Sequence, residues 1–151
     1  MNTLGKKTLE IAITQLGVQE IPKNSNAGPA VEKYLKSVGL GKGYAWCMAF
    51  MYWCTKEASI QLGVVNPLTK TAGVLAMLNA EKDLVTKDPQ PGDLFIMDFG
   101  KGKGHTGIVV KVEKNSIHTI EGNSNDDGSR EGYEVCRLQR QKSTIKAYLK
   151  L

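Results

Sequence analysis

Residues 104–123, GHTGIVVKVEKNSIHTIEGN, contain two runs rich in β-branched residues, separated by the short turn Lys114-Asn115. Runs of this kind bounded by Gly and Asn are typical of β-strands, and so short a turn predicts that the strands pair as a hairpin. In an antiparallel hairpin the beginning of the first strand lies beside the end of the second. We therefore expect His105 and Glu121 to be neighbours.

Other segments in the second half of the chain have the same strand-like character. Turn-rich sequences such as KDPQPGD separate them, as expected between the strands of one sheet. The predicted strands cover residues 94–97, 106–113, 117–121, 133–138 and 145–149. The sequence therefore predicts an antiparallel sheet of about five strands.

The first half of the chain has a helical period instead. Apolar residues recur at i, i+3, i+4 and i+7 over residues 9–16, 29–38 and 47–54, and a shorter helix is expected over 71–80. Helices followed by strands indicate an α+β domain with the helices packed on one face of the sheet. A chain of 151 residues suits one domain, so we expect a single domain over 1–151.

The composition excludes several classes of function. The chain has 20 Lys and Arg against 15 Asp and Glu, a net charge of +5, but no basic stripe interleaved with aromatic residues, so we expect no nucleic-acid partner. No apolar segment approaches the roughly 18 residues of a membrane-spanning helix, so we expect no membrane insertion. Three cysteines without CxxC spacing argue against a zinc site or a disulfide framework. We expect a monomer without metal or cofactor.

Basic residues are concentrated near the carboxyl end of the chain, where Arg137, Arg140, Lys142 and Lys146 follow one another closely. Such a cluster attracts anionic polymers over a distance. Lysines and arginines dispersed in this way are more often a solvated surface, and we interpret the cluster as such.

Cys47 lies in residues 43–54, GYAWCMAFMYWC, where it follows a glycine-containing loop and begins an amphipathic helix. The start of a helix favours an anion, because its N–H groups lack intrahelical acceptors and the helix dipole is positive there. A thiolate is such an anion, and it is the nucleophilic form of cysteine. The alternative is that Cys47 is a small apolar residue of the buried stripe, as we expect for Cys54 and Cys136.

A thiolate nucleophile needs a base and a group that orients the base. His105 lies at the entrance of a predicted strand, where it can face a cleft, whereas His118 lies in the middle of a strand and suits a structural role. A carboxylate or amide that accepts the imidazole N–H fixes the tautomer of the ring. Either Glu121 or Asn123, two residues further along the same strand face, could do this.

Three stretches together resemble the CHAP domain, the cysteine, histidine-dependent amidohydrolases/peptidases of bacterial cell-wall turnover and phage lysis. They are GYAWCMAFMYWC, PQPGDLFIM and GHTGIVVKVEKNSIHTIEGNSNDDG, in the family's order and at similar spacing. The resemblance implies a papain-like fold and a constellation of Cys47, His105, Glu121 and Asn123. It also implies that the partner is bacterial peptidoglycan, in which an amide bond is cleaved without a cofactor.

The resemblance leaves two possible target bonds, the muramoyl-alanine amide and a peptide bond. Tyr44 and Trp46 could line the substrate cleft, or they could equally be core residues. No separate wall-binding domain and no Sec signal are predicted, which suits a protein made in the cytoplasm that reaches the wall after pore release or delivery by a secretion machine. Two alternatives are a protein-modifying thiol enzyme, such as a deamidase or transglutaminase-like toxin, and a catalytically dead wall-binding module.

A calcium site is the competing interpretation of residues 123–134. Their order of Asn, Asp, Gly and Glu nearly satisfies the EF-hand pattern. The first ligand would be Asn instead of Asp, the flanking segments read as strands, and the same residues are common in turns. We therefore expect no metal here.

Overall fold

The computed structural model describes residues 3–124 and 132–151 of the chain. Within these ranges the helices come first and the strands second. The helices are α1 (Thr3–Thr14), α2 (Pro29–Ser37), α3 (Cys47–Leu62) and α4 (Val74–Ala80). None of the helices described is both long enough and apolar enough to cross a bilayer.

The strands form one antiparallel sheet with the order β1-β6-β2-β3-β4-β5. They are β1 (Val85–Thr86), β2 (Leu94–Gly100), β3 (Lys103–Val112), β4 (Ser116–Ser124), β5 (Glu134–Gln141) and β6 (Ala147–Leu149). The predicted α+β class with amino-terminal helices is confirmed. The sheet described has six strands instead of about five, because β1 has only two residues, too few to show an alternating pattern.

Helix α3 lies at the centre of the molecule and contacts α1, α2, β3 and β4. Its first turns, CMAFMYWC, are apolar on nearly all sides and are mostly buried, as expected for a helix surrounded by other elements. The helix continues to Leu62, beyond the apolar repeat of residues 47–54, because Thr55, Ala58 and Ser59 extend the buried face with small side chains.

The predicted hairpin is formed by β3 and β4, with Ile108 opposite Ile120 and Val112 opposite Ile117. A side chain at Gly107 would have its Cβ only 2.7 Å from Cγ of Glu121. Because residues i and i+2 share one strand face, His105 and Gly107 lie on the same side of β3. The glycine thus leaves the space through which the Glu121 side chain passes towards His105.

Candidate active site

Cys47 is the first residue of α3 and is 4% exposed. Its backbone N–H therefore has no acceptor within the helix, and the thiol lies at the positive end of the helix dipole. His105, from β3, is completely buried, and the Cys47 side chain is one of the neighbours that raise the pKa of its imidazole. The fold thus brings together two residues that the sequence places in different halves of the chain.

The imidazole ring is held by Glu121. His105 Nε2 lies 2.7 Å from Glu121 Oε1, and both side chains are inaccessible to solvent. Because an ionised carboxylate only accepts hydrogen bonds, Nε2 carries the proton. Nδ1 is then the nitrogen left for the thiol; it is buried, and within the described residues no group hydrogen-bonds to it. The thiol and the ring therefore interact more loosely than a well-formed hydrogen bond, as is common before substrate binds.

The charge of His105 depends on these two neighbours. Burial alone lowers the pKa of the imidazole, but the interactions with Cys47 and Glu121 outweigh it and raise the pKa to about 9. A protonated ring next to a sulfur atom is the arrangement that stabilises a thiolate.

Glu121 accepts hydrogen bonds on both of its carboxylate oxygens. Thr119 Oγ1 donates to Oε2 at 2.6 Å, while Arg140 donates from Nε to Oε2 at 2.8 Å and from Nη2 to Oε1 at 2.6 Å. Burial raises the pKa of Glu121, but Arg140 and His105 lower it to about 2. The carboxylate therefore stays ionised at neutral pH.

Asn123 lies elsewhere in the site. Its side-chain oxygen accepts the backbone N–H of Trp46 at 2.6 Å, and its side-chain nitrogen donates to the carbonyl of Gly132 at 2.8 Å. Of the two residues that the sequence offers as partners of the imidazole, Glu121 contacts the ring. Asn123 instead holds the backbone immediately before Cys47.

The Trp46 side chain lies in the core, which is one of the two positions that its sequence allowed. Its side chain has no exposed surface, packs against Tyr34 and Phe50, and donates its indole N–H to Glu20 Oε2 at 2.8 Å. A large ring with its polar atom satisfied gains most by complete burial. Tyr44, in contrast, is 54% exposed and stays available to a ligand.

Gly122 allows β4 to approach the start of α3. A Cβ at this position would lie 2.7 Å from Cζ3 of Trp46 and 2.9 Å from Cδ2 of Phe50. Real Cβ atoms do not come so close to neighbours in a packed core. The glycine between Glu121 and Asn123 thus lets one strand supply both the carboxylate on His105 and the amide on Trp46.

The other two cysteines and the other histidine lie in surroundings that suit a structural role. Cys54 is completely buried, which raises the pKa of its thiol well above the usual value, and Cys136 is buried as well. His118 contacts Glu113 at the surface of the β3–β4 hairpin.

A metal site is not supported by the residues described. Among them no group of three or more His, Cys, Asp or Glu side chains is arranged to hold a metal ion. Residues 125–131, the middle of the competing calcium pattern, lie outside the described residues. Asn123, its first position, binds Trp46 and Gly132.

Sequence reasoning missed three polar residues around the site: Glu20, Thr119 and Arg140. Arg140 is part of the basic cluster that we interpreted as solvated surface, yet its side chain is only 12% exposed. Arg140 lies opposite Ile117 in the β4–β5 register, and Thr119 and Glu121 share that face of β4. The β4–β5 register would have indicated the position of Arg140, but that register cannot be deduced from the sequence of β5 alone.

The site combines a cysteine at the start of a helix with a buried histidine–carboxylate pair, on an α+β fold. This arrangement is typical of proteins that pair a cysteine thiol with a histidine imidazole. Comparison with known families identifies the family within this class, because the CHAP domain matches residues 39–123. The match covers more than half of the chain, which therefore belongs to the CHAP domain family.

Solved structures support the fold. The crystal structure of Ly7917 is 17% identical to the chain with a TM-score of 0.55, and the crystal structure of Ly7917 with the hydrolyzing product of MDP is also 17% identical, with a TM-score of 0.54. Each comparison covers 97% of this chain and 62% of Ly7917, so the chain spans less than two thirds of that protein. No curated protein sequence matches the chain.

Proposed function

We propose that the protein is a peptidoglycan hydrolase that cleaves an amide bond with Cys47 as nucleophile. The observation that carries this proposal is the buried His105–Glu121 pair, which interacts with a cysteine at the first position of a helix. Membership of the CHAP domain family points to the cysteine, histidine-dependent amidohydrolases/peptidases. The Ly7917 structure with the hydrolyzing product of MDP makes a muramyl peptide the first substrate class to test.

The chemistry proceeds in two halves. The Cys47 sulfur forms a bond to the carbonyl carbon, and His105 gives a proton to the nitrogen, so the carbon–nitrogen bond breaks and the amine leaves a thioester behind. A water molecule then attacks the thioester while His105 takes its proton. The carbon–sulfur bond breaks, the product leaves as a carboxylic acid, and the thiolate is restored.

Glu121 keeps the ring in the orientation that this sequence needs. The carboxylate holds the proton on Nε2, so proton transfer to and from the substrate uses Nδ1, the ring nitrogen that Glu121 does not bind. An ionised carboxylate also stabilises the imidazolium that donates its proton to the leaving amine. His105 and Glu121 therefore act as one unit.

The oxyanion of the tetrahedral intermediate needs N–H donors. The backbone N–H of Cys47 is suited to this role, because it lies at the helix start without an intrahelical acceptor. The N–H of Trp46 is not available to substrate, since Asn123 already binds it. Asn123 thereby fixes the backbone on which the Cys47 donor depends.

Purified peptidoglycan digested with the wild-type 151-residue chain, Cys47→Ser and Cys54→Ser tests the proposal, with muropeptides identified by mass spectrometry. We expect new termini with wild type and with the matched control Cys54→Ser, and none with Cys47→Ser. A free muramic-acid lactyl carboxylate identifies an amidase, whereas a new amine within the stem or cross-bridge identifies a peptidase. Products that persist with Cys47→Ser would contradict the mechanism.

The two alternatives have their own signatures in the same experiment. Unchanged muropeptides together with rapid alkylation of Cys47 would favour a protein-modifying thiol enzyme. Unchanged muropeptides with a Cys47 that reacts no faster than Cys54 would favour a dead binding module. Digestion by these residues alone would also support a single catalytic domain over 1–151 that acts without a separate wall-binding domain.

A further inference from the structure

Arg140 belongs to strand β5, and its guanidinium group lies in the candidate active site. It donates from Nε and Nη2 to the two oxygens of Glu121, at 2.8 and 2.6 Å, and its side chain is 12% exposed. This paired geometry gives a strong and directional ion pair. Arg137, three residues earlier on the same strand, is exposed. The two arginines thus offer a natural comparison within one strand.

Among residues 3–124 and 132–151, four elements supply the titratable and charged groups of the cluster. Cys47 comes from α3, His105 from β3, Glu121 from β4, and Arg140 and Cys136 from β5. In the reactive form the thiolate, imidazolium, carboxylate and guanidinium alternate in sign, and their charges add to zero. Without Arg140 the same buried cluster carries one net negative charge, which is costly away from water.

We propose that Arg140 is a positioning residue that acts through Glu121, keeping the carboxylate ionised and aligned on His105 and setting the pH range in which the Cys47–His105 ion pair exists. Its catalytic meaning depends on the hydrolase function proposed above. Its effect on the ion pair can be measured without any substrate.

Two properties of Arg140 can be separated by substitution. Its positive charge favours the ionised form of the neighbouring acid, so removing the charge moves the ion-pair range to higher pH. Its planar fork aligns Glu121 through two parallel hydrogen bonds, which lysine cannot reproduce. Arg140→Gln therefore removes the charge but keeps a donor, and Arg140→Lys keeps the charge but loses the fork.

The experiment measures the rate of iodoacetamide alkylation at Cys47 from pH 5 to 10, read by peptide mass spectrometry. For Arg140→Gln we expect the profile to shift upward by about one pH unit, the size expected for a partly screened neighbouring charge. For Arg140→Lys we expect the profile to stay within about 0.3 units of wild type, while hydrolysis falls roughly 10-fold in kcat with KM unchanged. The matched control Arg137→Gln should follow wild type in both measurements.

An unshifted alkylation profile in folded Arg140→Gln would overturn the proposal and leave Arg140 as a structural ion pair. If Arg140→Gln does not fold, Arg140→Lys decides the matter, because a profile shifted by a unit despite the retained charge overturns it equally. A wild-type protein that leaves peptidoglycan intact while the Arg140 shift occurs would refute the proposed function and not the role of Arg140. A wild-type protein that hydrolyses peptidoglycan, together with an unshifted profile in Arg140→Gln, would refute the role of Arg140 and not the proposed function.

Discussion

His105 Nε2 and Glu121 Oε1 are 2.7 Å apart in a place that solvent does not reach. The two residues come from neighbouring strands, and the glycine at position 107 leaves the room for them to meet. Because the ring is held by one nitrogen, the other is left for Cys47. This relationship sets both the chemistry of the site and its dependence on pH.

Replacing Glu121 by Gln should damage activity and stability together. The buried guanidinium of Arg140 and the imidazolium of His105 would lose their counter-charge, and breaking a buried ion pair from one side costs about 3–5 kcal/mol of unfolding free energy. We also expect kcat to fall on the order of 10²–10⁴-fold, because the ring loses its orienting carboxylate. Urea denaturation and muropeptide kinetics measure the two effects.

The control for this change is Glu113→Gln. Glu113 also contacts a histidine, His118, but at an exposed hairpin, so neither stability nor activity should change measurably. Equal effects of Glu113→Gln and Glu121→Gln would show that burial of the His105–Glu121 pair has no special importance.

Asn123→Ala tests the link between β4 and the start of α3. The substitution leaves the buried N–H of Trp46 without its acceptor, which should cost about 1–3 kcal/mol of unfolding free energy. If the Cys47 N–H serves the oxyanion, we expect kcat to fall about 10-fold or more while KM is unchanged. A variant whose KM rises at constant kcat would instead place Asn123 in substrate binding.

Gly122→Ala should destabilise the protein by steric overlap with Trp46 and Phe50, by about 1–3 kcal/mol. Gly41→Ala is the matched control, because nothing lies within 4 Å of a Cβ built there. Thermal unfolding of the two variants checks the expectation. A Gly122→Ala protein as stable as Gly41→Ala would mean that β4 can move away from α3 at little cost.

Much of the fold and part of the site follow from local patterns. The short turn after residue 113 predicts the hairpin, and the hairpin predicts that His105 and Glu121 meet. Cys47 at a helix start is visible in the sequence for the same local reason. These features depend on residues close together in the chain or on a single strand pairing.

The remaining features depend on contacts between distant segments. Strand β1 exists because two residues pair with β6, and a segment of two residues is too short for any pattern to predict a strand. Trp46 is hidden because Glu20, far back in the chain, satisfies its indole N–H. Arg140 looks like an ordinary surface residue until the β4–β5 register places it on the same face of the sheet as Glu121, where the two side chains meet.

Stability should depend on pH in two opposite ways. The pKa of His105 is raised to about 9, so its contribution to folding is complete below about 6.5 and is lost as pH rises towards 9. The pKa of Glu121 is lowered to about 2, so its contribution is complete above about 4.5 and is lost as pH falls towards 2. Urea denaturation of wild type should therefore show falling stability between pH 6.5 and 9, and His105→Gln should flatten that slope. An unchanged slope in the variant would assign the pH dependence to other groups.

The proposed mechanism requires that Cys47 and His105 form one reactive pair, and alkylation of the native protein tests this pairing. Wild type and His105→Gln are treated with iodoacetamide at pH 6 and pH 9, and the rate at Cys47 is compared with that at Cys54. We expect Cys47 of wild type to react faster than Cys54 at pH 6, and His105→Gln to lose at least about 10-fold of the pH 6 rate at Cys47, because the imidazolium that stabilises the thiolate is gone. The same pH 6 rate in both proteins would mean that His105 does not activate Cys47.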